Sequence, residues 1–466
     1  MRIRDPLLAT FDDLAQTQGG RPLAVARGRA WQVSTLERTA TELAERLTRE
    51  GFGAGRVVGL AAAPGPALLA GFLALRRCGV VPLLCDSARP TADRLAALDR
   101  LGAVGFLAEA TGWPDAADGW DLSRRTPALP LAADPSWGVI KLSSGSTGEP
   151  RGIAVTSAAL LADDAQLTAS MGLTSDDRLL AAIPLAHSYG FSSLVLPALV
   201  RGACLVFPAD RSPLAPLTAA SEYRATFFPT VPAWLGAYVR LAAPLPLPDS
   251  VRLVISAGAP LPAAVAAEFR ARTGRSVHVF YGASESGGIS YDRRGDAAER
   301  GTVGTAVDGV EVELDGATGR LRVRSAAVAV RYLPEPAEEV DGGCFLTGDL
   351  AVFEAGEVRL LGRSDDWVLV RGKNVNPREV EAALRELPGV DDAAVFGADG
   401  PDGPRSILRA VVASSAGAVD YAQVIAHCRA RLADYKVPRS LALVRELPRT
   451  ERGKLDRSAL FVLGTG

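Results

Sequence analysis

The sequence predicts an α/β protein with a large N-terminal domain of doubly wound sheets and a small α+β C-terminal domain. Short runs that are apolar throughout alternate with helical patterns over most of the chain, which is typical of strands buried on both faces of a parallel sheet. This pattern changes near Gly362. The chain has 466 residues, and at about 150 residues per domain this length allows roughly three units. The apolar runs are VVGLAA, VVPLLC, GACLVFP, ATFFPTV, VRLVIS and SVHVFY.

Local signals place the first elements. Residues 34–37, STLE, fit a capping box, so we expect a helix to begin there. Apolar residues recur at helical spacing from Leu36 to Leu47, and Gly51 ends the helix. Residues 111–136 are rich in Pro, Gly and Asp and predict an irregular connection.

The composition argues against several classes of protein. There are 51 basic and 53 acidic residues, which gives no general field for nucleic acid or an anionic membrane. The five scattered cysteines fit a reducing cytoplasm better than a disulfide framework or a zinc site. Residues 57–75 carry no charge, but Pro64-Gly65-Pro66 interrupts them, so a strand and a helix are favoured over a membrane span. The N-terminal residues do not resemble a secretory signal. We therefore expect a cytoplasmic monomer or homodimer.

The last part of the chain predicts two further structural regions. Residues 347–363 predict antiparallel strands with a turn at Ala355-Gly356, which we interpret as part of a β-barrel-like subdomain. Asn376 and Pro377 then have the residue types of a helix N-cap and first position. We place the boundary between Arg363 and Asp365, which gives domains of residues 1–363 and 364–466.

The stretch SSGSTGEPRG, residues 143–152, directly follows the strand-like run WGVIKL. Its glycines permit backbone conformations in which successive N–H groups point inward, and its hydroxyls and Arg151 add donors. Such a loop suits a polyphosphate, although it lacks the Gly-Lys-Ser/Thr of a Walker loop. A mobile Gly/Ser linker fits the same residues equally well. The residues concerned are Ser143, Ser144, Gly145, Ser146, Thr147, Gly148 and Arg151.

Together with six further segments, this loop resembles the adenylate-forming superfamily of acyl-CoA synthetases, luciferases and nonribosomal peptide synthetase adenylation domains. The segments occur in the order found in that family and extend over nearly the whole chain. They are PLAHSYG (184–190), ISAGAPL (255–261), YGASE (281–285), TGD (347–349), GRSDDWVLVRGKNVNPREVE (362–381) and LPRTERGKLDR (447–457).

The resemblance implies a binding site for ATP and Mg²⁺. Tyr281 would stack on adenine, Ser284 would contact the α-phosphate, and Glu285 would bind the metal together with Ser143. An aromatic ring, a hydroxyl and a carboxylate have the right chemistry for these roles, although a strand-end turn with a surface glutamate would look the same. The remaining nucleotide-binding positions are Gly258, Ala259, Pro260, Gly282, Ala283, Asp349 and Arg363, of which the last two correspond to the ribose contacts.

The resemblance also assigns roles near the C-terminus. Lys454 corresponds to the catalytic lysine, a point charge that can bridge the acyl oxygen and the α-phosphate. Asp365 corresponds to the hinge about which a small mobile domain turns between two half-reactions. Gly372 lies where the family has a glycine beside the tunnel for the phosphopantetheine arm, which can belong to CoA or to a carrier protein.

The acid pocket is predicted around His187, whose counterparts border the carboxylate and the thiol tunnel. A structural histidine is the alternative. Amino-acid-activating members have an aspartate beside this position, whereas this chain has Ser188, so an aryl or medium acyl acid is favoured. Arg151 also replaces the usual lysine of the phosphate loop. The predicted pocket residues are Ser188, Phe191, Phe228, Val231, Gly287 and Gly288, with Gly258 and Ala259 nearby.

These assignments imply a ligase that converts ATP and a small carboxylic acid to an acyl-adenylate and pyrophosphate, and then transfers the acyl group to a thiol. CoA is the favoured acceptor, and loading of a carrier-protein phosphopantetheine is the alternative. A third possibility is a nucleotide-binding relative without turnover. The presence of Glu285, Asp349, Arg363 and Lys454 argues against it, because a decayed site would have lost at least one of them.

Overall fold

Two large mixed sheets form most of the N-terminal part of the computed structural model. The structure describes residues 5–88, 91–113, 116–144, 150–242, 245–364, 367–370, 373–400, 403–415, 417, 419–449, 455–456, 459–460 and 463. The helices of these residues are α1 (Pro6–Gln18), α2 (Val33–Arg49), α3 (Ala67–Arg77), α4 (Thr91–Arg100), α5 (Ser157–Met171), α6 (Ser188–Gly190), α7 (Leu196–Arg201), α8 (Ala215–Glu222), α9 (Pro232–Val239), α10 (Ala263–Thr273), α11 (Ala297–Arg300), α12 (Pro377–Arg385) and α13 (Tyr421–Arg431).

The strands follow the apolar runs of the sequence. They are β1 (Pro22–Ala26), β2 (Arg29–Gln32), β3 (Val57–Ala62), β4 (Val81–Leu84), β5 (Gly105–Glu109), β6 (Trp120–Arg124), β7 (Trp137–Ser144), β8 (Pro150–Thr156), β9 (Arg178–Leu180), β10 (Cys204–Val206), β11 (Phe227–Thr230), β12 (Leu253–Ser256), β13 (Val277–Ala283), β14 (Gly287–Tyr291), β15 (Thr305–Ala306), β16 (Glu311–Leu314), β17 (Arg320–Arg324), β18 (Arg331–Leu333), β19 (Val340–Asp341), β20 (Cys344–Glu354), β21 (Glu357–Arg363), β22 (Val368–Val370), β23 (Lys373–Val375), β24 (Asp392–Gly400), β25 (Gly403–Ala413) and β26 (Ser440–Val444).

Both large sheets have a parallel centre and antiparallel edges. The nine-stranded sheet has the order β15-β14-β13-β12-β11-β9-β10-β1-β2, and its strands from β13 to β1 are parallel neighbours. The seven-stranded sheet has the order β18-β8-β7-β4-β3-β5-β6, with β7, β4, β3 and β5 parallel. The six apolar runs supply β3, β4 and β10 to β13. The predicted α/β class with buried parallel strands is therefore confirmed.

Two local predictions were wrong. Helix α2 begins at Val33, and its N-cap Gln32 makes no side-chain capping bond. The N–H groups of Val33 and Ser34 instead donate to the carbonyls of Arg21 and Gly19, so backbone partners replace the predicted capping box. The segment predicted to be irregular contains β6, which pairs antiparallel with β5 at the edge of the seven-stranded sheet.

The turn at Ala355-Gly356 is confirmed. Both residues have positive φ angles, 49° and 83°, as a tight turn between β20 and β21 requires. These strands belong to a five-stranded sheet of order β16-β17-β20-β19 with β21 beside β20, which is the counterpart of the predicted barrel-like subdomain.

The C-terminal α+β region has its own core. The side chain of Asn376 accepts a hydrogen bond from the Arg378 N–H at 3.0 Å and caps α12, as predicted. Buried residues of α12, including Val380 and Leu384, pack with residues of β22 to β25 and with Val424 and Cys428 of α13. Strands β24, β25 and β26 form a three-stranded sheet.

The chain divides into two compact units. The first comprises Met1–Glu313, Arg322–Leu346 and Phe353–Arg359, and the second comprises Leu314–Leu321, Thr347–Val352 and Leu360–Gly466. In the part of the chain that the structure describes, each helix is too short or too polar to cross a bilayer.

Candidate active site

Several predicted site residues lie at one edge of the nine-stranded sheet. Strands β9, β11, β12 and β13 are parallel neighbours, so their carboxyl ends lie along the same edge, where open α/β sheets bind ligands. The segment that contains His187 follows β9, Val231 follows β11, residues 258–260 follow β12, and β13 ends in Tyr281, Gly282 and Ala283. The fold therefore brings the predicted nucleotide and acid segments to a common edge.

The seven-stranded sheet contributes a carboxylate to this region. Asp86 follows β4, and its Oδ2 lies 2.9 Å from Nε2 of His187. Its Oδ1 accepts a hydrogen bond from the Ala88 N–H at 3.0 Å. The backbone thus orients the carboxylate, and the carboxylate orients the imidazole ring. The sequence did not single out Asp86, although it directly follows the strand-like run VVPLLC, just as SSGSTGEPRG follows WGVIKL.

Ser188 connects the predicted acid pocket to the predicted phosphate site. Its hydroxyl donates a hydrogen bond of 2.7 Å to Oγ of Ser284. The next residue, Tyr189, donates its hydroxyl to the carbonyl oxygens of Thr230 and Ile255, at 3.2 Å and 3.4 Å. Because Thr230 ends β11 and Ile255 lies in β12, the tyrosine ties the loop after β9 to its neighbouring strands.

Glu285 is held by residues 329–332. The Tyr332 hydroxyl donates to Oε1 of Glu285 at 2.8 Å, and the Ala329 N–H donates to the Glu285 carbonyl at 2.7 Å. The guanidinium carbon of Arg151 lies 4.0 Å from the centroid of the Tyr332 ring. Burial, followed by the charge of Glu285, raises the pKa of the Tyr332 phenol well above its usual range. Tyr332 was not predicted, because a tyrosine in a short strand carries no local sign of such a contact.

A buried lysine lies close to the same carboxylate. Lys141 of β7 is 2% exposed. Burial lowers the pKa of its ammonium group, and the charges of Asp163 and Glu285 act in the opposite direction. Ser143, two residues further along β7, is half-buried and pairs with Arg151 of β8. The predicted phosphate-site cation Arg151 therefore lies beside a strand that carries a second cation.

Gly287 and Gly288 pack against Asp163 of α5. The Asp163 carboxylate accepts the Gly288 N–H at 3.0 Å and the Ser192 hydroxyl at 2.5 Å. Gly287 has a φ of +69°, and a Cβ there would collide with the Asp163 carboxylate. In a similar way, a Cβ at Gly282 would lie 2.6 Å from the Gly287 carbonyl oxygen. The packing of the protein itself therefore accounts for these glycines, so their small size is not by itself evidence of a pocket.

Two predicted pocket walls are core residues. Phe191 and Phe228 are each 0% exposed. The Phe191 ring meets the edge of Phe72 at a centroid distance of 5.4 Å, and Phe228 meets Trp234 at 4.9 Å. A ligand could reach either ring only if the surrounding side chains moved. Val231 is half-buried at the N-cap of α9.

The predicted loop after β12 is exposed. Gly258 has a φ of +86°, and a Cβ built there would meet open space. Ala259 and Pro260 are also exposed, whereas Tyr281 is half-buried opposite Ser290 of β14. The loop and the tyrosine thus present surface at the sheet edge where a nucleotide is predicted.

Asp349 and Arg363 belong to the second unit. The Thr347 hydroxyl oxygen accepts the Asp349 N–H at 3.1 Å, which forms the turn expected from the TGD motif. A Cβ at Gly348 would lie 2.5 Å from Nη2 of Arg363. The guanidinium therefore lies directly against the residue before Asp349, so the two predicted ribose contacts are neighbours.

The remaining predicted site residues lie outside the described part of the chain. For Ser144 the structure describes the backbone at the end of β7. The residues outside the description are Gly145, Ser146, Thr147, Gly148, Asp365, Gly372 and Lys454.

The Glu285 carboxylate has the chemistry of an Mg²⁺ ligand. Among the described residues, no three His, Cys, Asp or Glu side chains come together as a protein metal cage. Mg²⁺ is commonly bound through one or two carboxylates together with substrate phosphates. A carboxylate that hydrogen bonds hold at the predicted phosphate site therefore fits this metal.

The family comparisons agree with the site. A family model described as AMP-binding enzyme matches residues 11–333, and one described as AMP-binding enzyme C-terminal domain matches residues 379–454. The chain therefore belongs to the AMP-binding, or adenylate-forming, enzymes, as the motifs predicted. Its reaction class is the ATP-dependent activation of a carboxylic acid as an acyl-adenylate, followed by thioester formation.

Individual relatives span different architectures. A feruloyl-CoA synthase from an Amycolatopsis species is 30% identical over 92% of this chain and 93% of that one. An isonitrile lipopeptide synthase from Streptomyces coeruleorubidus is 30% identical over 98% of this chain, which corresponds to 33% of that larger protein. The structure of ATP-bound MatB from Rhodopseudomonas palustris has a TM-score of 0.82 and 27% identity, with 97% of each chain covered.

Proposed function

We propose that the chain activates an acid with an uncharged aryl or medium acyl tail and transfers it to CoA. The observation that carries this proposal is the Ser188–Ser284 hydrogen bond, at the place where amino-acid-activating members have an aspartate. A neutral hydroxyl does not offset the cost of burying a substrate ammonium group. The Asp86 carboxylate is already engaged with His187 and Ala88. The similarity to a feruloyl-CoA synthase supports an aryl acid.

The proposed nucleotide contacts are those that the family resemblance implies, and the chemistry of the residues suits them. Tyr281 stacks on adenine, the Ser284 hydroxyl donates to the α-phosphate, and Asp349 accepts the paired ribose hydroxyls. Arg363 adds a second ribose and phosphate contact. Because Ser188 donates to Ser284, the Ser284 proton stays available for the phosphate. Glu285 holds Mg²⁺, which neutralises charge on the phosphates when bound.

In the first half-reaction, a carboxylate oxygen of the acid attacks the α-phosphorus of ATP. The new P–O bond forms as the bond to the bridging oxygen breaks, and pyrophosphate leaves. Lys454 places a positive charge between the acyl oxygen and the α-phosphate, where two anions must approach each other. His187, oriented by Asp86, borders the carboxylate and limits access to it.

In the second half-reaction, the thiolate sulfur of CoA attacks the carbonyl carbon of the acyl-adenylate. The C–S bond forms, the C–O bond to AMP breaks, and AMP leaves with the electron pair. We assign Asp365 to the hinge between residues 1–363 and 364–466, and Gly372 to the passage for the pantetheine arm. A residue without a side chain leaves room for a thin thiol chain.

Loading of a carrier protein is the second candidate function. Almost the whole of this chain, 98%, aligns with 33% of the isonitrile lipopeptide synthase. An adenylation domain within a larger synthase would align in this way. In that case the same chemistry transfers the acyl group to a carrier-bound phosphopantetheine.

The test is pyrophosphate release with ATP, Mg²⁺ and a panel of aryl, short-chain and medium-chain acids, measured with and without CoA. One preferred aryl or medium acyl acid and stimulation by CoA are expected. Release with a preferred acid that CoA does not change would favour the carrier protein. Nucleotide binding without release for any acid would contradict the proposal and favour a relative without turnover.

A further inference from the structure

We propose that Tyr332 is a positioning residue that fixes the orientation of the Glu285 carboxylate, which would hold Mg²⁺, and the position of the Arg151 guanidinium. This inference rests on the proposed function, because it concerns the metal–nucleotide site of that reaction. Tyr332 lies in β18, outside the segments that carry the resemblance, and it contacts two residues of those segments.

Glu285 is held through both its side chain and its backbone. Its side chain accepts the Tyr332 hydroxyl at 2.8 Å, and its backbone carbonyl accepts the Ala329 N–H at 2.7 Å. Both donors come from one four-residue stretch. The bond from Tyr332 occupies one of the four lone-pair sites of the carboxylate and limits rotation of the group. Tyr332 therefore selects one orientation of Glu285.

The tyrosine is buried. Tyr332 is 7% exposed, so water is poorly placed to replace its hydrogen bond to Glu285. The bond between the Tyr332 hydroxyl and the Glu285 carboxylate is therefore shielded from solvent. A hydrogen bond to a charged acceptor is among the stronger ones.

The face of the Tyr332 ring contacts the Arg151 guanidinium. Tyr332 pairs with Ile153 in the β18–β8 ladder, which places Arg151 at the diagonal position on the same face. The guanidinium lies 4.0 Å from the ring centroid. A planar guanidinium can stack on an aromatic face, whereas an ammonium group is a compact point charge. This contact gives a physical reason for an arginine at the position where the family has a lysine.

Two substitutions at Tyr332 separate its two contacts. Tyr332→Phe removes the hydroxyl and keeps the ring under Arg151, whereas Tyr332→Leu removes both. Tyr238→Phe is the matched control, because Tyr238 is also buried and donates its hydroxyl to the Leu245 carbonyl at 3.0 Å in another part of the first unit. Thermal unfolding of each variant checks that it is folded.

The readout is binding rather than turnover. Mn²⁺ binding is measured by electron paramagnetic resonance in the presence of α,β-methylene-ATP, and binding of this analogue without metal is measured by calorimetry. Tyr332→Phe is expected to weaken Mn²⁺ binding about ten- to hundredfold, because it removes a hydrogen bond to a charged group. Tyr332→Phe should leave the metal-free affinity for α,β-methylene-ATP at the wild-type value. Tyr332→Leu should weaken both Mn²⁺ binding and metal-free binding of the analogue, and Tyr238→Phe should change neither affinity.

A double-mutant comparison tests whether Tyr332 acts through Glu285. In a Glu285→Gln background, Tyr332→Phe should have little further effect on Mn²⁺ binding. Equal Mn²⁺ affinity in Tyr332→Phe and Tyr238→Phe would overturn the inference while the proposed function stood. A wild-type chain that binds no nucleotide analogue would instead overturn the proposed function and this inference together.

Discussion

The orientation of the His187 ring depends on a single carboxylate from the other large sheet. Asp86 accepts the Ala88 N–H through Oδ1 and lies 2.9 Å from the His187 ring through Oδ2. A hydrogen bond to one ring nitrogen fixes the orientation of the imidazole and determines whether the other nitrogen carries a proton. We therefore infer that Asp86 would act on the proposed acid site through His187.

We expect Asp86→Ala to raise the KM for the acid about tenfold, which is the order expected for a lost bond to a charged group. The KM for ATP should change little, because the contacts shown for the Asp86 carboxylate are with His187 and Ala88. Initial-rate kinetics on the wild type and on the variants Asp86→Ala, His187→Ala and their combination measure this effect.

Asp210→Ala is the matched control for the Asp86 variant. Asp210 also accepts an N–H two residues further on, from Ser212 at 2.7 Å, but it is exposed in a loop without a histidine partner. It should behave like the wild type. If Asp86→Ala raised the KM for the acid equally in the presence and absence of His187, the two residues would act independently and this prediction would be wrong.

At the scale of elements, the turn between β13 and β14 depends on glycines packed against α5. Gly287 has a positive φ, and its missing Cβ leaves room for the Asp163 carboxylate, which bonds Gly288 and Ser192. Glu285 and Ser284 lie in this turn, so its conformation places two proposed phosphate-site residues.

Gly287→Ala should destabilise the first unit more than Gly274→Ala does. Gly274 has nearly the same φ, +68°, but a Cβ there meets nothing within 4 Å. Gly274→Ala, the control, should lower the free energy of unfolding by about 1 kcal/mol through backbone strain. Gly287→Ala should lower it by about 1–3 kcal/mol more, because the new Cβ displaces the buried, hydrogen-bonded Asp163 carboxylate. Differential scanning calorimetry compares the thermal midpoints. Equal midpoints for the two variants would show that Asp163 adapts without cost.

The elements also show how far the sequence can be interpreted. Apolar composition identified strands such as β3 and β12, because burial on both faces leaves a composition that is visible locally. Turn and cap chemistry identified Ala355-Gly356 and Asn376 for the same reason. The start of α2 could not be predicted, since distant backbone carbonyls satisfy its first N–H groups.

Residues of the candidate site could be predicted mainly where they belong to a recognisable sequence motif. Ser284 and Glu285 were predicted from their segment, and Asp86 had the weaker signal of following a strand-like run. Lys141 and Tyr332 are ordinary residue types that the strand order brings near Glu285. The Glu285–Tyr332 contact joins residues 47 apart, and the His187–Asp86 contact joins residues 101 apart. Contacts across such separations depend on the assembled sheets and leave no local pattern.

At the scale of the whole molecule, the proposed hinge at Asp365 matters for the proposed sequence of reactions. It places Ser284, Glu285, Asp349 and Arg363 in residues 1–363, and Gly372 and Lys454 in residues 364–466. A reaction with two half-steps needs different groups at the reacting atoms in each step, and rotation about a short connector can exchange them. We therefore propose that residues 364–466 supply Lys454 for adenylate formation and Gly372 for thioester formation.

The central claim is that a carboxylate oxygen of the acid attacks the α-phosphorus of ATP. The most direct measurement uses the preferred acid labelled with ¹⁸O in its carboxylate, with ATP, Mg²⁺ and CoA, followed by mass spectrometry of the nucleotide product. When the acyl-adenylate is cleaved at its acyl carbon, the attacking oxygen remains on the phosphate. The account predicts AMP that carries one ¹⁸O atom. Unlabelled AMP, or label in inorganic phosphate with ADP as the nucleotide product, would contradict it.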